Sequence, residues 1–363
     1  MDENSGIGPG FDALRVGLAF AVVLRHCFPI TYGNSAAASS GFLWSATMAI
    51  IPIFFILSGF LVTGSALRLT LGKFVASRVL RIVPALAVDT LVTILVIGLI
   101  FTTVPFGDYF GSEDTHAYLL NIAGFIHYYL PGVFEENPIP GVVNGALWTI
   151  PPELGCYIFI SGLIFIGWVK HWRWTLSFAL FLIVFIIAAP YFPESTPASV
   201  QRLASHPGAL LVPEFLIGSV LYLKRHEIPY SPKLFWLCIA LILASGFFLP
   251  EAEFSVLPVS SALAIPLYAY VALFIGTTKM PKLPLFSRGD YSYGIYLYGF
   301  PIQQAIVTAT GVLNPFTLFA LTIVPVTLLA MASWHLVEKP TLRLRKSFSM
   351  AAKMEAKRQE DSK

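Results

Sequence analysis

Charge is what this sequence has least of: 12% of its 363 residues are Asp, Glu, Lys or Arg, against 56% hydrophobic, and the mean hydropathy is +0.74. That balance excludes a soluble domain of this length. Cysteine is nearly absent. Cys27, Cys156 and Cys238 all lie in apolar runs with no pair spacing, which argues against a disulfide framework or metal site and reads as small buried hydrophobes. His116, His127, His171, His206, His226 and His335 show no ligand spacing either, so no metal is expected. No repeat of about 20 to 50 residues is visible, and the first ten residues lack a basic stretch. The first apolar run is therefore expected to be a retained span rather than a cleaved signal peptide.

Long apolar runs are what the sequence does have. A helix needs about 20 such residues to cross the hydrocarbon, and about ten runs qualify, near 11–30, 42–67, 83–104, 146–168, 174–189, 208–223, 234–249, 256–276, 293–312 and 316–338. The expected fold is all-α: a polytopic membrane helix bundle of about ten transmembrane helices over residues 1–338, with a basic cytoplasmic tail at 339–363. With the N-terminus inside, the inner segments hold all but three of the 23 Lys and Arg residues. The exceptions are Arg202, which falls outside, and Arg15 and Arg25, which lie in the first run. This bias puts both termini in the cytoplasm. The segment from Pro105 to Gly145 has no Lys or Arg but contains Asp108, Glu113, Asp114, Glu135 and Glu136, so it is expected to face outward. Within it, AYLLNIAGFIHYYL suits a re-entrant or interface-lying piece rather than a full crossing.

A few ionisable groups interrupt the apolar runs. Eleven positions separate Arg15 from His26, which at about 100° per residue brings them within about 20° of one helix face, with about 16 Å of rise between them. Groups at such depth usually face a polar cavity, a partner or a reaction path; snorkelling by Arg15 and a structural hydrogen bond by His26 are the plainer alternatives. Glu153, in ALWTIPPELGCYIF, is expected at a depth resembling that of His26, with Pro151 and Pro152 fitting the first helical turn. A carboxylate there could orient an imidazole acting as general base, or simply bond Trp148, Tyr157 or the backbone. Arg78 and Arg81 stand at i, i+3 on one helical face, suited to phosphate or to lipid headgroups. Ser58, Gly59 and Gly64 permit close helix approach. Asp89, Glu214 and Glu338 also lie near or inside spans; Glu214 sits where a helix N-terminus favours an anion, and Glu338 reads as a structural pairing at the inner end of the last helix.

Together these strings resemble the integral-membrane acyltransferase 3 family over nearly the whole chain: FDALRVGLAFAVVLRH, IPIFFILSGFLV, SRVLRIVPAL, LWTIPPELGCY, PEFLIGSVLY, YSYGIYLYGFPI and LVEKP. The family's arginine and histidine fall on Arg15 and His26, its SGF string on Ser58, Gly59 and Phe60, its basic pair on Arg78 and Arg81, and its Trp and Glu on Trp148 and Glu153. Where members often carry a histidine after the SY..YL string, this chain has Gly299. No counterpart of the hydrolase-like extracellular domain of some members is expected, so acceptor delivery is expected to rest on the membrane part or on other proteins.

The resemblance implies a membrane O-acyltransferase that moves an acyl group, commonly acetyl, from cytoplasmic acyl-CoA to a hydroxyl of an exopolysaccharide, lipopolysaccharide or related glycan. His26, Glu153 and Arg15 would be catalytic; Arg78, Arg81, Ser58 and Trp148 would bind substrate, with Arg78 and Arg81 on the acyl-CoA phosphates. The expected partners are acyl-CoA, a glycan or lipid-linked saccharide acceptor and membrane lipid, with no nucleic acid and with homo-oligomers allowed, in a multi-pass protein of the bacterial inner membrane. The rival reading is a non-enzymatic transporter or flippase of a lipid-linked sugar, which should show inverted repeats with interrupted spans in corresponding places; none is evident.

Overall fold

The computed structural model describes residues 10–33, 42–192, 196–204, 206, 208–248, 257–280 and 289–343. Most of the basic tail, together with Lys282 and Arg288, lies outside the described residues. The long helices are α1 (Phe11–Tyr32), α2 (Phe42–Ala66), α3 (Leu71–Val92), α4 (Ile150–Phe165), α5 (Trp172–Ala188), α6 (Leu211–Lys224), α7 (Pro232–Phe248), α8 (Leu257–Thr277), α9 (Ser292–Thr310) and α10 (Pro315–Ser333). Among the described residues there is no strand, only the isolated bridges Thr102–Val133 and Tyr129–Val142. The all-α membrane bundle expected from the sequence is what forms.

Among the described residues, seven helical stretches are long and apolar enough to cross a membrane: Phe11–Tyr32, Ser45–Ala66, Leu71–Phe101, Gly145–Phe165, Trp172–Tyr191, Val259–Thr277 and Pro315–Arg343. The remaining expected runs form helices too, but α6 has 14 residues and α7 has 17, and α9 carries the buried polar pair Gln303 and Gln304. These three fall short in length or apolarity rather than in helical order. Cys27, Cys156 and Cys238 are free and buried, as small apolar side chains would be.

The α2–α6 contact is the most extensive between helices, and glycine makes it possible. A Cβ on Gly59 would run into the Phe215 carbonyl, and one on Gly218 into the Ile56 carbonyl. The two backbones therefore touch directly, the geometry that small residues allow between membrane helices. Phe60 then fills the space beside the crossing, its ring 5.0 Å from Phe11 and 5.1 Å from Tyr222.

Two further arrangements fix the parts that matter for the site. Helices α1 and α9 pack side by side: Gln303 Nε2 donates to the Val23 carbonyl at 2.7 Å and contacts Cys27 Sγ at 2.9 Å. The acidic connection from α3 to α4 folds as short helices, Phe106–Gly111, Glu113–Tyr118 and the 3₁₀ turn Leu119–Ala123. It makes no further crossing. It closes over its own small core of Tyr109, Tyr118, Val133 and Phe134. Where α3 continues as a π turn, Thr93–Gly98, the Tyr109 hydroxyl donates to the Ile94 carbonyl at 3.0 Å, and Gly98 leaves room for it. Such a turn interrupts the regular ladder, and the tyrosine supplies the carbonyl with a donor.

The end of this connection is pinned into the bundle. Asn137 Nδ2 reaches Gln304 Oε1 at 2.9 Å, Gln304 Nε2 reaches the Ile139 and Val142 carbonyls at 3.0 and 2.7 Å, and Asn144 Nδ2 bonds the Asp89 carboxylate and the Leu297 carbonyl. The chain then drops as a 3₁₀ turn, Gly145–Thr149, into α4, with Pro151 and Pro152 in the first turn as expected.

Replacing Gly218 with Val is expected to lower the thermal midpoint of the purified protein, at an overpacking cost of about 1–3 kcal/mol, whereas Gly162→Ala, whose Cβ would meet nothing within 4 Å, leaves the midpoint unchanged or raised. Heating followed by size-exclusion measures both; equal behaviour of the two variants contradicts the close approach.

Candidate active site

A cavity of about 370 Å³ lies between α1, α2, α3, α4, the start of α9 and the stretch following α10. Arg15, Ser58, Arg78, Arg81 and Glu153 all line it, so five of the seven residues singled out in the sequence converge on one space. His26 and Trp148 are not among its lining residues. The lining includes four arginines, with Arg68, against the carboxylates of Asp12, Glu153 and Asp290, and its walls are aromatic: Phe54, Phe55, Tyr157, Tyr293, Tyr296 and Trp334.

Asp290 organises the cationic side. Its Oδ2 is 2.7 Å from Arg15 Nη1 and 2.8 Å from Arg81 Nη2, while Ser292 Oγ donates to Oδ1 at 2.7 Å. Burial pushes this carboxyl up, but Arg15, Arg81 and Ser292 outweigh it and hold it well below the usual carboxylate range. Arg81 is engaged further: its Nη1 lies 3.7 Å from Glu338 Oε2, and its guanidinium stands over the Tyr293 and Trp334 rings at 5.5 and 5.7 Å. Glu338 is thus a structural partner, as expected, but of Arg81 on α3 and of Ser333, which donates to it at 3.0 Å.

Arg78 is different. It forms no ion pair among the described residues. Its guanidinium lies 5.7 Å from the centroids of the Phe74 and Tyr157 rings, and its Nε donates to Ser77 Oγ at 3.3 Å. Of the two arginines on that helix face, this is the one with no carboxylate at ion-pair distance, though Glu153 is near enough to feel its charge.

Glu153 is a different case from the one its sequence context suggests. Thr149 Oγ1 meets the Tyr296 hydroxyl at 2.6 Å, one turn into α9, and Gly145 lies against Phe300 a turn further along. The 3₁₀ turn carries the chain into the bundle before α4 begins, so Glu153 lies nearer the arginine cluster than His26 does. Its Oε1 accepts from the Tyr157 hydroxyl at 2.6 Å, and no bond joins it to His26. Ser58 lines the same cavity as Tyr157.

His26 shares with Arg15 the face turned to α9, as the helical arithmetic implies. Arg15 meets Asp290 just before that helix, and the His26 ring packs edge-on against Phe300 with centroids 5.3 Å apart. Its Nδ1 is buried without a hydrogen-bond partner among the described residues. Trp148 faces the other way, its ring 6.3 Å from that of His206. Gly299, where a histidine is common in the resembling family, leaves no space for one: a Cβ there would stand 2.7 Å from Val23 Cγ2.

Asp290, Tyr296 and Thr149 escaped the sequence reading, whereas Tyr157 was named there as a structural partner of Glu153 and is one. Asp290 had a detectable signal, being the only acid among the basic residues between α8 and α9. Tyr296 lies in a string that reads as packing.

Residues 9–335 match the acyltransferase 3 family, described as an acyltransferase domain. The O-acetyl transferase of Shigella phage Sf6 is 28% identical over 354 residues, covering 91% of this chain and 94% of that protein. Nodulation protein 10 of Rhizobium leguminosarum bv. viciae is 27% identical over 372 residues, covering 95% and 96%. The exopolysaccharide production protein ExoZ of Rhizobium meliloti is 26% identical over 322 residues, covering 85% and 93%. No solved structure matches. The chain belongs to the acyltransferase 3 family: it is a multi-pass membrane O-acyltransferase, which sets aside the non-enzymatic transporter.

Asp290→Asn leaves two guanidinium groups without their shared carboxylate. After discounting for 24% and 29% side-chain exposure of Arg15 and Asp290, the expected cost is about 1–3 kcal/mol, with a non-additive cycle against Arg15→Gln. Because the folded value of Asp290 is depressed, its contribution is full above the ordinary carboxylate range and disappears as pH falls toward the lowered value. The difference in thermal midpoint between wild type and Asp290→Asn should therefore narrow below about pH 4; a constant difference contradicts the assignment.

Proposed function

We propose that the enzyme takes its acyl group, acetyl by preference, from cytoplasmic acyl-CoA and transfers it to a hydroxyl of an exopolysaccharide, lipopolysaccharide or related glycan across the bacterial inner membrane. The observation that carries this reading is the arginine-lined, aromatic-walled cavity. It opens among the helix ends that bear the basic loops, which the positive-inside bias assigns to the cytoplasm in a ten-span topology with both termini inside. Arg78 receives donor phosphates as charge-assisted contacts. Arg81, held by Asp290 and Glu338, keeps the phosphate-side wall electropositive and fixed. Arg15, on the same carboxylate, stands between the phosphate end and the thioester end. Glu153 and Tyr157, bonded to each other, border the thioester beside Ser58.

His26 is the group for the acceptor. Its unpartnered Nδ1 lies beyond the cavity, where a hydroxyl arriving from the outer side could give up its proton as the oxygen attacks the acyl carbon. Equally, the imidazole could carry the acyl group itself. In either route the thioester C–S bond breaks and the sulfur leaves as thiolate, to be protonated on the inner side. Tyr296 and Phe300 separate cavity and imidazole, so turnover includes a step in which this layer parts. Trp148, half-buried on the far side of the 3₁₀ turn, suits stacking on a sugar ring. The phage relative named as an O-acetyl transferase and the relative named for exopolysaccharide production both support an acetyl group and a glycan acceptor.

Vesicles of purified protein given labelled acetyl-CoA and total surface glycan test the reading through release of CoA and label in ester linkage. His26→Ala is expected to lower turnover by about 10²–10⁴-fold while eluting as a folded protein, and wild-type turnover by that variant rejects the role. Arg78→Ala should raise KM for acetyl-CoA about tenfold or more, the size of a lost charge-assisted bond, with kcat little changed. An unchanged KM removes Arg78 from the donor site.

A further inference from the structure

On α9 and on the chain entering α4 the donor cavity ends at one level. On α9 its lining includes Ser292, Tyr293 and Tyr296 but stops before Phe300, and on the chain entering α4 it starts at Thr149 and includes nothing from the preceding 3₁₀ residues. At that level Tyr296 and Thr149 join. The Tyr296 hydroxyl donates to the Ala146 carbonyl at 2.7 Å, which leaves Thr149 Oγ1 to donate to it at 2.6 Å. The edge of Phe54 backs the tyrosine ring, with centroids 6.2 Å apart. Both residues are buried, at 8% and 5% exposure. Above them the space is filled, because Phe300 lies so close to Gly145 that a Cβ there would stand 2.7 Å from its ring. In this closed state the cavity therefore has a roof, with Arg81 over Tyr293 one turn away on α9 and Arg78 over Tyr157.

We propose that the Tyr296–Thr149 pair is the acyl-length determinant of the enzyme: it caps the thioester end of the cavity, admitting a two-carbon acyl group and excluding a four-carbon one. This rests on the acyl-CoA reading given above. Close-packed interiors register a single methylene, and a hydrophobic pocket discriminates by about tenfold or more for each one. Here the roof cannot yield without giving up both bonds of the tyrosine hydroxyl.

The test is competition at equilibrium on the purified full chain in detergent, measuring displacement of labelled acetyl-CoA by acetyl-CoA and by butyryl-CoA. The ratio of the two affinities does not depend on the active fraction of a preparation, nor on knowing the acceptor. In the wild type, butyryl-CoA should bind at least about tenfold more weakly than acetyl-CoA. Tyr296→Ala should bring the two within about threefold. Thr149→Ala opens the same roof by a smaller change, should shift the ratio in the same direction, and carries the test alone if Tyr296→Ala does not fold. A ratio that stays at its wild-type value in the folded variants overturns the proposal, as does a wild type that binds both thioesters equally. A wild type that binds neither thioester overturns the donor reading and the roof together.

Discussion

Arg15 and Arg81 come from helices that share little contact of their own, yet both reach the same oxygen of Asp290. That oxygen ties α1, α3 and the head of α9 at one point, and the pairing of Arg81 with Glu338 extends the knot to the end of α10. Each guanidinium would be costly to bury alone, and the carboxylate would be costly without them. Held together they form a fixed electropositive wall in a bundle otherwise built from apolar contacts. The cavity exists because this wall is too polar to be filled by neighbouring side chains and too well bonded to collapse.

The opposite end of the cavity depends on hydrogen bonds of another kind. Asn137, Asn144, Gln304 and Asp89 spend amide and carboxylate groups on backbone carbonyls and on each other. Their effect is to lead the acidic connection into the bundle before α4 starts. Thr149 reaches Tyr296 for that reason, and Glu153 lies beside Tyr157 rather than beside His26 for the same reason. A buried polar network of this sort is stable only when its members are satisfied, which makes the depth of α4 a property of residues 137 to 144 and not of α4 itself.

Much of this was readable from residue order. The apolar runs located the helices, the eleven-residue interval placed Arg15 and His26 on one face, and the SGF string marked the α2–α6 crossing through Gly59. What could not be read was depth. Pro151 and Pro152 announced a helix start correctly, but nothing local says that this start is sunk inside the bundle, because the bonds responsible come from residues about 150 positions away in sequence, such as Leu297 and Gln304. Asp290 was missed for a related reason. An acid in a basic loop reads as a solvated charge until α1 and α3 bring their arginines to it. Gly299 shows the reverse: its departure from the resembling family is explained by Val23, a packing neighbour on α1.

Arg78 and Arg81 show how far spacing alone can go. As an i, i+3 pair they look interchangeable, two donors on one face offered to the same anion. Their partners make them unlike. Arg81 is surrounded by two carboxylates and two aromatic rings, so an incoming phosphate would have to compete with ion pairs already formed in a low-dielectric setting. Arg78 has aromatic faces and a serine, contacts that orient a guanidinium without neutralising it. An anion entering the cavity gains most from the charge with no carboxylate at bonding distance and least from the one already paired. The motif therefore divides into a binding arginine and a building arginine, and the division is set by Asp290, more than 200 residues further along the chain.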